Sequence, residues 1–347
     1  MTPSIHTVLF ILLLSLTACF KKEDPIALPA GNSEINSFSL GKGYEKEVFF
    51  DLSTNSFQER RWADWDICFD ASKDGYGVFI NTGKSMSVRK INLFGLKELS
   101  AIDTLFFKNQ DHPELVDPPE GDASKAAMGD WRTYKNQGLD GIYVVELKYN
   151  TGYDRFKRIQ VIKKDDTAYF VRVTDLFDLK GDTVFNAQVL TIPKNPNQNF
   201  TYYSFSNNNR GIIQNAEPDK NNWDFVFTRY THFFYDILPN KVPFPYKLSG
   251  VFSSTNHVEI ARDSAVTAFE DIDAGSIPKY QFTKNRNGIG YDWKTHAQSA
   301  LGSYSITPRV TYIIKDTDGY YYKLRFLDYN NELGEPGYPK FEFIRIK

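Results

Sequence analysis

Groups that could do chemistry are scarce in this 347-residue chain, which has five histidines, two cysteines and three methionines. Imidazoles, thiolates and thioethers ligate metals, and paired carboxylates do acid–base work, so these few positions bound what the protein can catalyse or bind. His6 falls in an apolar leader, leaving His112, His232, His257 and His296. His112 sits in the Pro-rich stretch QDHPELVDPPEG, where exposure is expected, and His232 follows a WD strand as a surface or packing residue. Met128, three residues before Trp131, reads as a core methionine. Asp66 and Asp224 each follow a tryptophan on an otherwise apolar strand, which suits a carboxylate hydrogen-bonded to a turn better than a catalytic pair. HExxH, CxxC, GxxxxGK, GxGxxG and GxSxG patterns do not occur, so zinc-protease, redox-disulfide, P-loop, dinucleotide and serine-hydrolase chemistry has no local support.

The cysteines have different settings. An apolar run from Val8 to Leu14 is too short to span a bilayer and leads into LTAC, Leu16 to Cys19. LTAC resembles a bacterial lipobox, which implies a signal peptide over 1–18 and a lipidated Cys19 as first mature residue. The following CFKKEDP resembles the Lys-plus-acidic signal of surface-exported lipoproteins, which implies an outer-membrane lipoprotein facing the cell exterior. Residues 19–44 are polar, contain Pro and Gly, and read as a flexible tether. Cys68, between Ile67 and Phe69, reads as a half-buried strand thiol, because no neighbouring His or cation cluster would lower its pKa.

The elements that must position these groups are strands. Aromatic residues make up 16% of the chain, and segments such as RVTYIIKD and YYYKLRFLDY around Thr317-Asp318-Gly319 read as a β-hairpin. Helical periodicity is confined to Leu93–Leu99 and Val266–Ile272. The segments also recur in order. FFDLSTN from Phe49 matches YYSFSNN from Tyr202, and WDICF from Trp65 matches WDFVF from Trp223, 158 residues on. GVFINTG from Gly77 matches GVFSSTN from Gly250, DWRTY from Asp130 matches DWKTH from Asp292, and YFVRV from Tyr169 matches EFIRI from Glu342. This predicts a tandem duplication with repeats at 45–190 and 200–347, joined by IPKNPNQN. The recurrence is too long for propeller blades. The fold class expected is all-β, mostly antiparallel, with a few short helices. A net charge of −2 disfavours a nucleic-acid binder, and a single apolar run excludes a membrane bundle.

The order of WD strand, GVF segment, tryptophan loop and closing Tyr-rich hairpin resembles the HmuY family of haem-binding bacterial lipoproteins. The likeness is clearest over Tyr202 to Lys347, in YYSFSNN, NNWDFVFTRY, GVFSST, DGYYYKLRFLDY and FEFIRI. It implies two HmuY-like domains, haem as ligand, and transfer of that haem to a TonB-dependent outer-membrane receptor, without enzymatic turnover. It also implies His296, three residues after Trp293, as an axial ligand. The stretch Phe269 to Tyr291, where the family has its other axial histidine, contains no His or Met, which leaves His257 and Tyr280 as further candidate donors. In the first repeat Tyr134 stands at the position of His296, with His112, Met86 and Met128 the only other donors, so that repeat is expected not to hold haem. HFFYD and VPFPY, from His232 and Val242, place five aromatics among prolines, as would suit a flat ligand or a protein partner. A competing expectation is an interaction module on the same scaffold that binds a protein or glycan and no haem.

Overall fold

Aromatic and β-branched side chains fill a pleated, half-buried surface, and the runs of them in this chain fold as strands. The computed structural model describes residues 31–91, 112–138, 141–206, 211–264, 267–296 and 304–347. The leader, Cys19 and Leu93–Leu99 lie outside the described residues. The strands are β1 (Glu34–Ser37), β2 (Lys46–Asp51), β3 (Ser56–Arg61), β4 (Ile67–Asp70), β5 (Val78–Ile80), β6 (Ser87–Ile91), β7 (Ile142–Glu146), β8 (Phe156–Lys164), β9 (Ala168–Asp175) and β10 (Val189–Pro193). They continue with β11 (Phe200–Ser204), β12 (Gly211–Ile213), β13 (Phe225–Phe234), β14 (Phe244–Ser253), β15 (Glu259–Ser264), β16 (Lys294–His296), β17 (Tyr304–Ile306), β18 (Val310–Lys315), β19 (Tyr321–Asn330) and β20 (Pro336–Arg345). All pairings among them are antiparallel. Where a helix is expected over Val266–Ile272, the described part holds one short 3-10 turn, Phe269–Asp271. Among the described residues no helix is long and apolar enough to cross a membrane.

Four of the sheets form two equivalent pairs. Sheets β12-β11-β4-β5 and β10-β9-β8-β7-β6 enclose a core containing Ile67, Phe69, Val145, Ile159 and Val171. Sheets β3-β2-β13-β14 and β1-β20-β19-β18-β15 enclose a second core around Phe50, Phe225, Phe227, Phe341 and Phe343. The all-β expectation holds, and strand β4 corresponds to β13, β5 to β14, and β7, β8 and β9 to β18, β19 and β20.

The strands do not sort by the sequence bounds 45–190 and 200–347. Strand β2, which opens the first repeat, pairs with β13 of the second, while β11, which opens the second, pairs with β4 of the first. Likewise β1 lies on β20 and β10 lies on β9. One packed unit therefore runs from about 65 to 213, and the other joins 34–61 to 223–347. The tether expected over 19–44 must also be shortened, because Glu34–Ser37 is hydrogen-bonded strand and Phe38 and Leu40 are buried in the second core. Phe38 meets Phe227 edge-on at 5.0 Å.

The WD aspartates explain how each exchanged strand is held. Asp224 Oδ2 accepts the Leu52 N–H at 2.8 Å, just after β2, and its Oδ1 accepts the Thr317 N–H at 2.9 Å. In the other unit Asp66 Oδ2 accepts the Phe205 N–H at 2.6 Å, just after β11, and its Oδ1 accepts from Lys84 Nζ and Tyr149 O–H, each at 2.6 Å. Both carboxylates are fully buried; Asp224 holds two remote segments and Asp66 holds three. Cys68 is 2% exposed rather than half-buried, and burial pushes its thiol well above its ordinary pKa, so it is an inert core group.

Candidate functional site

The two units differ most in one hairpin. In the first, β4 and β5 end at Asp70 and Val78. In the second, β13 and β14 pair in register from Phe225↔Ser253 out to Phe234↔Phe244. Alternating aromatic and β-branched residues carry β13 outward, and Asn240 and Lys241, both at positive φ, turn the chain beyond Pro239. The extension brings HFFYD and VPFPY alongside β16 and β17, which form their own small hairpin.

Between the extended hairpin and β16–β17 lies an open cavity of about 650 Å³, within the range usual for small-molecule sites. Phe234, Ile237, Phe244 and Tyr246 contribute its hairpin wall, and Tyr291, Tyr304, Tyr329 and Tyr44 contribute the remaining aromatic surface. The rings are locked to one another. Tyr44 lies parallel to Tyr329 at 6.4 Å, Tyr304 meets Tyr329 edge-on at 5.0 Å, and Phe234 meets Tyr291 edge-on at 5.7 Å.

His296 is on this wall, exposed, at the end of β16, with its ring edge-on to Tyr304 at 5.0 Å. Its placement follows from Trp293, which is 1% exposed and stacks on Phe326 at 3.8 Å, anchoring the strand to the core. Lys294 is buried beside it. Its Nζ donates to Ser249 O at 2.6 Å and faces the rings of Trp293 and Tyr329 at 4.3 and 4.7 Å. Burial pulls its ammonium down to a pKa of about 7. Arg229 and Lys247 add two more cations to the wall. The wall's carboxylate, Asp292, is paired with Arg262.

The other expected donors lie elsewhere. His257 is exposed, at φ +67°, beyond the Ser253 end of β14. It is not among the residues lining the cavity with His296, so the loop does not fold back onto that site. Tyr280 lines a different cavity and donates its O–H to Asp263 at 2.9 Å. Neither joins His296. His232 stands behind the wall, 4.8 Å from the rings of Phe234 and Tyr291, with Nε2 3.4 Å from Tyr291 Oη. Among the described residues no cluster of three or more His, Cys, Asp or Glu could hold a bare metal ion.

The first unit lacks these features. Tyr134, at the position of His296, is 64% exposed, and Arg132, at the position of Lys294, covers Tyr76 at 3.6 Å while forking onto Asp130. Met86 and Met128 are buried in the core, and His112 Nδ1 lies 2.8 Å from Glu114 Oε1. Sequence reasoning located the aromatic hairpin and His296 but missed Arg229, Lys247 and Lys294.

These residues suit a flat, anionic, aromatic ligand. The wall offers rings for its face and cations for its charge, and Arg229 Nε is buried with no hydrogen-bond partner. His296 is the single imidazole among the residues lining this cavity. Residues 245–343 match the family described as HmuY protein, a span that includes His296 and most of the cavity wall but covers less than half of the chain. A comparison with curated proteins gives no match. Among solved structures, apo PinO from Porphyromonas gingivitis is similar at 10% identity and a TM-score of 0.28, covering 91% of this chain and 98% of its own. The apo HmuY analog (TFO) of Tannerella forsythia is similar at 9% identity and a TM-score of 0.26, covering 92% and 98%.

Proposed function

We propose that this chain, HmuY-like over residues 245–343, is a lipid-anchored surface protein that captures haem in the cavity beneath the β13–β14 hairpin and passes it to an outer-membrane receptor. The observation that carries the reading is the coincidence of the matched span with a cavity of about 650 Å³ walled by aromatics, cations and one exposed imidazole. Bound there, haem would supply an iron centre that accepts a nitrogen ligand. His296 would provide that ligand, the tyrosine and phenylalanine rings would cover the macrocycle, and Arg229 and Lys247 would meet its carboxylates. Lys294, tethered to Ser249 O, would hold β16 against β14 and so hold His296 in place.

The tip of the same hairpin supports a receptor contact. Tyr235, Ile237, Leu238 and Tyr246 are each at least one-third exposed there, a local apolar patch of the kind that marks interaction sites. The reading assigns binding and release, with no turnover.

Titration of the purified protein with hemin, followed by absorbance, tests it. A saturable shift of the Soret band is expected, and His296→Ala should move that band. No shift in the parent protein, or a band unchanged by His296→Ala, overturns the assignment.

A further inference from the structure

We propose that the cavity selects its ligand by the ligand's carboxylates and flat face rather than by its metal, so that iron-free protoporphyrin binds there about as tightly as hemin. This rests on the tetrapyrrole reading above and narrows it. The donors on the wall are unequal in number. His296 is the single imidazole among the lining residues, and no methionine or cysteine lines the cavity. A metal-ligating imidazole is ordinarily oriented by a hydrogen bond to its other nitrogen. Among the described residues none orients the ring of His296, which has only the edge contact with Tyr304.

The cations are more numerous and less satisfied. Arg229 comes from β13, Lys247 from β14 and Lys294 from β16, and no ion pair among the described residues engages any of them. Asp292 does not neutralise them, because Arg262 already holds it. Lys294 is committed to Ser249 O, which leaves Arg229 and Lys247 as the pair available to a ligand. They stand on neighbouring strands, two residues apart in register, since Arg229 pairs with Ser249 and Thr231 with Lys247. Desolvation and the nearby Arg229 together hold the Lys247 ammonium below its ordinary pKa. The guanidinium has an orphaned Nε and reaches Gly43 O only at 3.4 Å. Two like charges left side by side, the guanidinium half-buried and the ammonium exposed, repel each other until an anion joins them. A planar ligand carrying two carboxylates completes both at once, one on the guanidinium fork and one on the ammonium.

The experiment compares hemin, protoporphyrin IX and protoporphyrin IX dimethyl ester on the full protein, read by absorbance and by quenching of tryptophan fluorescence. The diacid porphyrin should bind within about threefold of hemin, while the ester should bind at least about tenfold more weakly, the order expected for a lost charge-assisted hydrogen bond. Arg229→Gln with Lys247→Gln should weaken hemin and porphyrin alike by about tenfold or more, and His296→Ala should leave porphyrin binding unchanged. Lys247→Gln alone, at an exposed position, keeps the test sound if the double variant melts early. If hemin binds but protoporphyrin is about thirtyfold weaker or worse, or if ester and diacid bind equally, the inference falls and the haem reading stands. If neither hemin nor protoporphyrin binds, both fall.

Discussion

Asp224 accepts backbone N–H groups from two segments that are remote in sequence, Leu52 and Thr317, while itself sitting at the start of β13. Replacing it with alanine leaves two buried donors unpaired, a loss of about 3 kcal/mol or more. The amide introduced by Asp224→Asn keeps one acceptor oxygen, so that variant should lose roughly half as much. Urea unfolding of the two variants measures this, and equal stability of parent and Asp224→Ala would disprove the hook. The role of the aspartate was half legible in the sequence. A carboxylate after a core tryptophan reads as a turn acceptor, but nothing near Asp224 indicates that the segment it secures lies 172 residues away. Lys294 escaped notice for a related reason, since its burial depends on Ser249 and Tyr329, which no local pattern connects to it.

The extended part of the β13–β14 hairpin is separable from the core. Its core members are Phe225, Phe227 and Val251, and the residues outward of Thr231 and Lys247 line cavities or face solvent. Replacing residues 232–246 with a two-residue Asn-Gly turn keeps the register between Thr231 and Lys247. The shortened protein should keep its β-sheet circular dichroism and melt within about 2 °C of the parent, a shift equivalent to roughly 1–2 kcal/mol for a chain of this size, yet lose saturable hemin binding. Retained binding would place the ligand elsewhere. This element was the most readable part of the site, because prolines and aromatics interleave at both ends of an alternating run. The cavity as a whole was not readable, since its walls come from segments at 44, 229–249, 291–296, 304 and 329.

Across the whole molecule the two units meet at a small cavity of about 60 Å³ whose lining includes the charged residues Glu47, Asp117 and Arg286, room for a few waters. Glu47 is 5% exposed and has one described hydrogen-bond donor, Thr228 Oγ1 at 3.1 Å, so desolvation pushes its carboxyl up to a pKa of about 8. Because the folded value lies above the unfolded one, the neutral acid favours folding fully below about pH 4.5. That contribution is lost as pH rises through about 8, a change on the order of a few kcal/mol. Thermal melts should therefore fall between pH 6 and pH 8.5, and Glu47→Gln, which cannot ionise, should flatten that fall. An unchanged slope would show that the joint tolerates the charge. The recurrence on either side of this joint was legible, because the same strand patterns come twice in the same order. The reciprocal placement of β1–β3 and β10–β12 was not, because either copy of the leading strands would satisfy either partner sheet.

That placement also orders events as the chain is made. Everything the 65–213 unit needs has been synthesised once β12 emerges, so it can close while β13 to β20 are still to come. At that point β2 and β3 can pair only with each other, and β1 has no native partner. Their edges stay unpaired until β13 and β20 arrive, when Gly31 N–H meets Arg345 O at 2.8 Å and the backbone closes nearly into a ring. The segment nearest the proposed lipid anchor is thus among the last to be stitched into the fold.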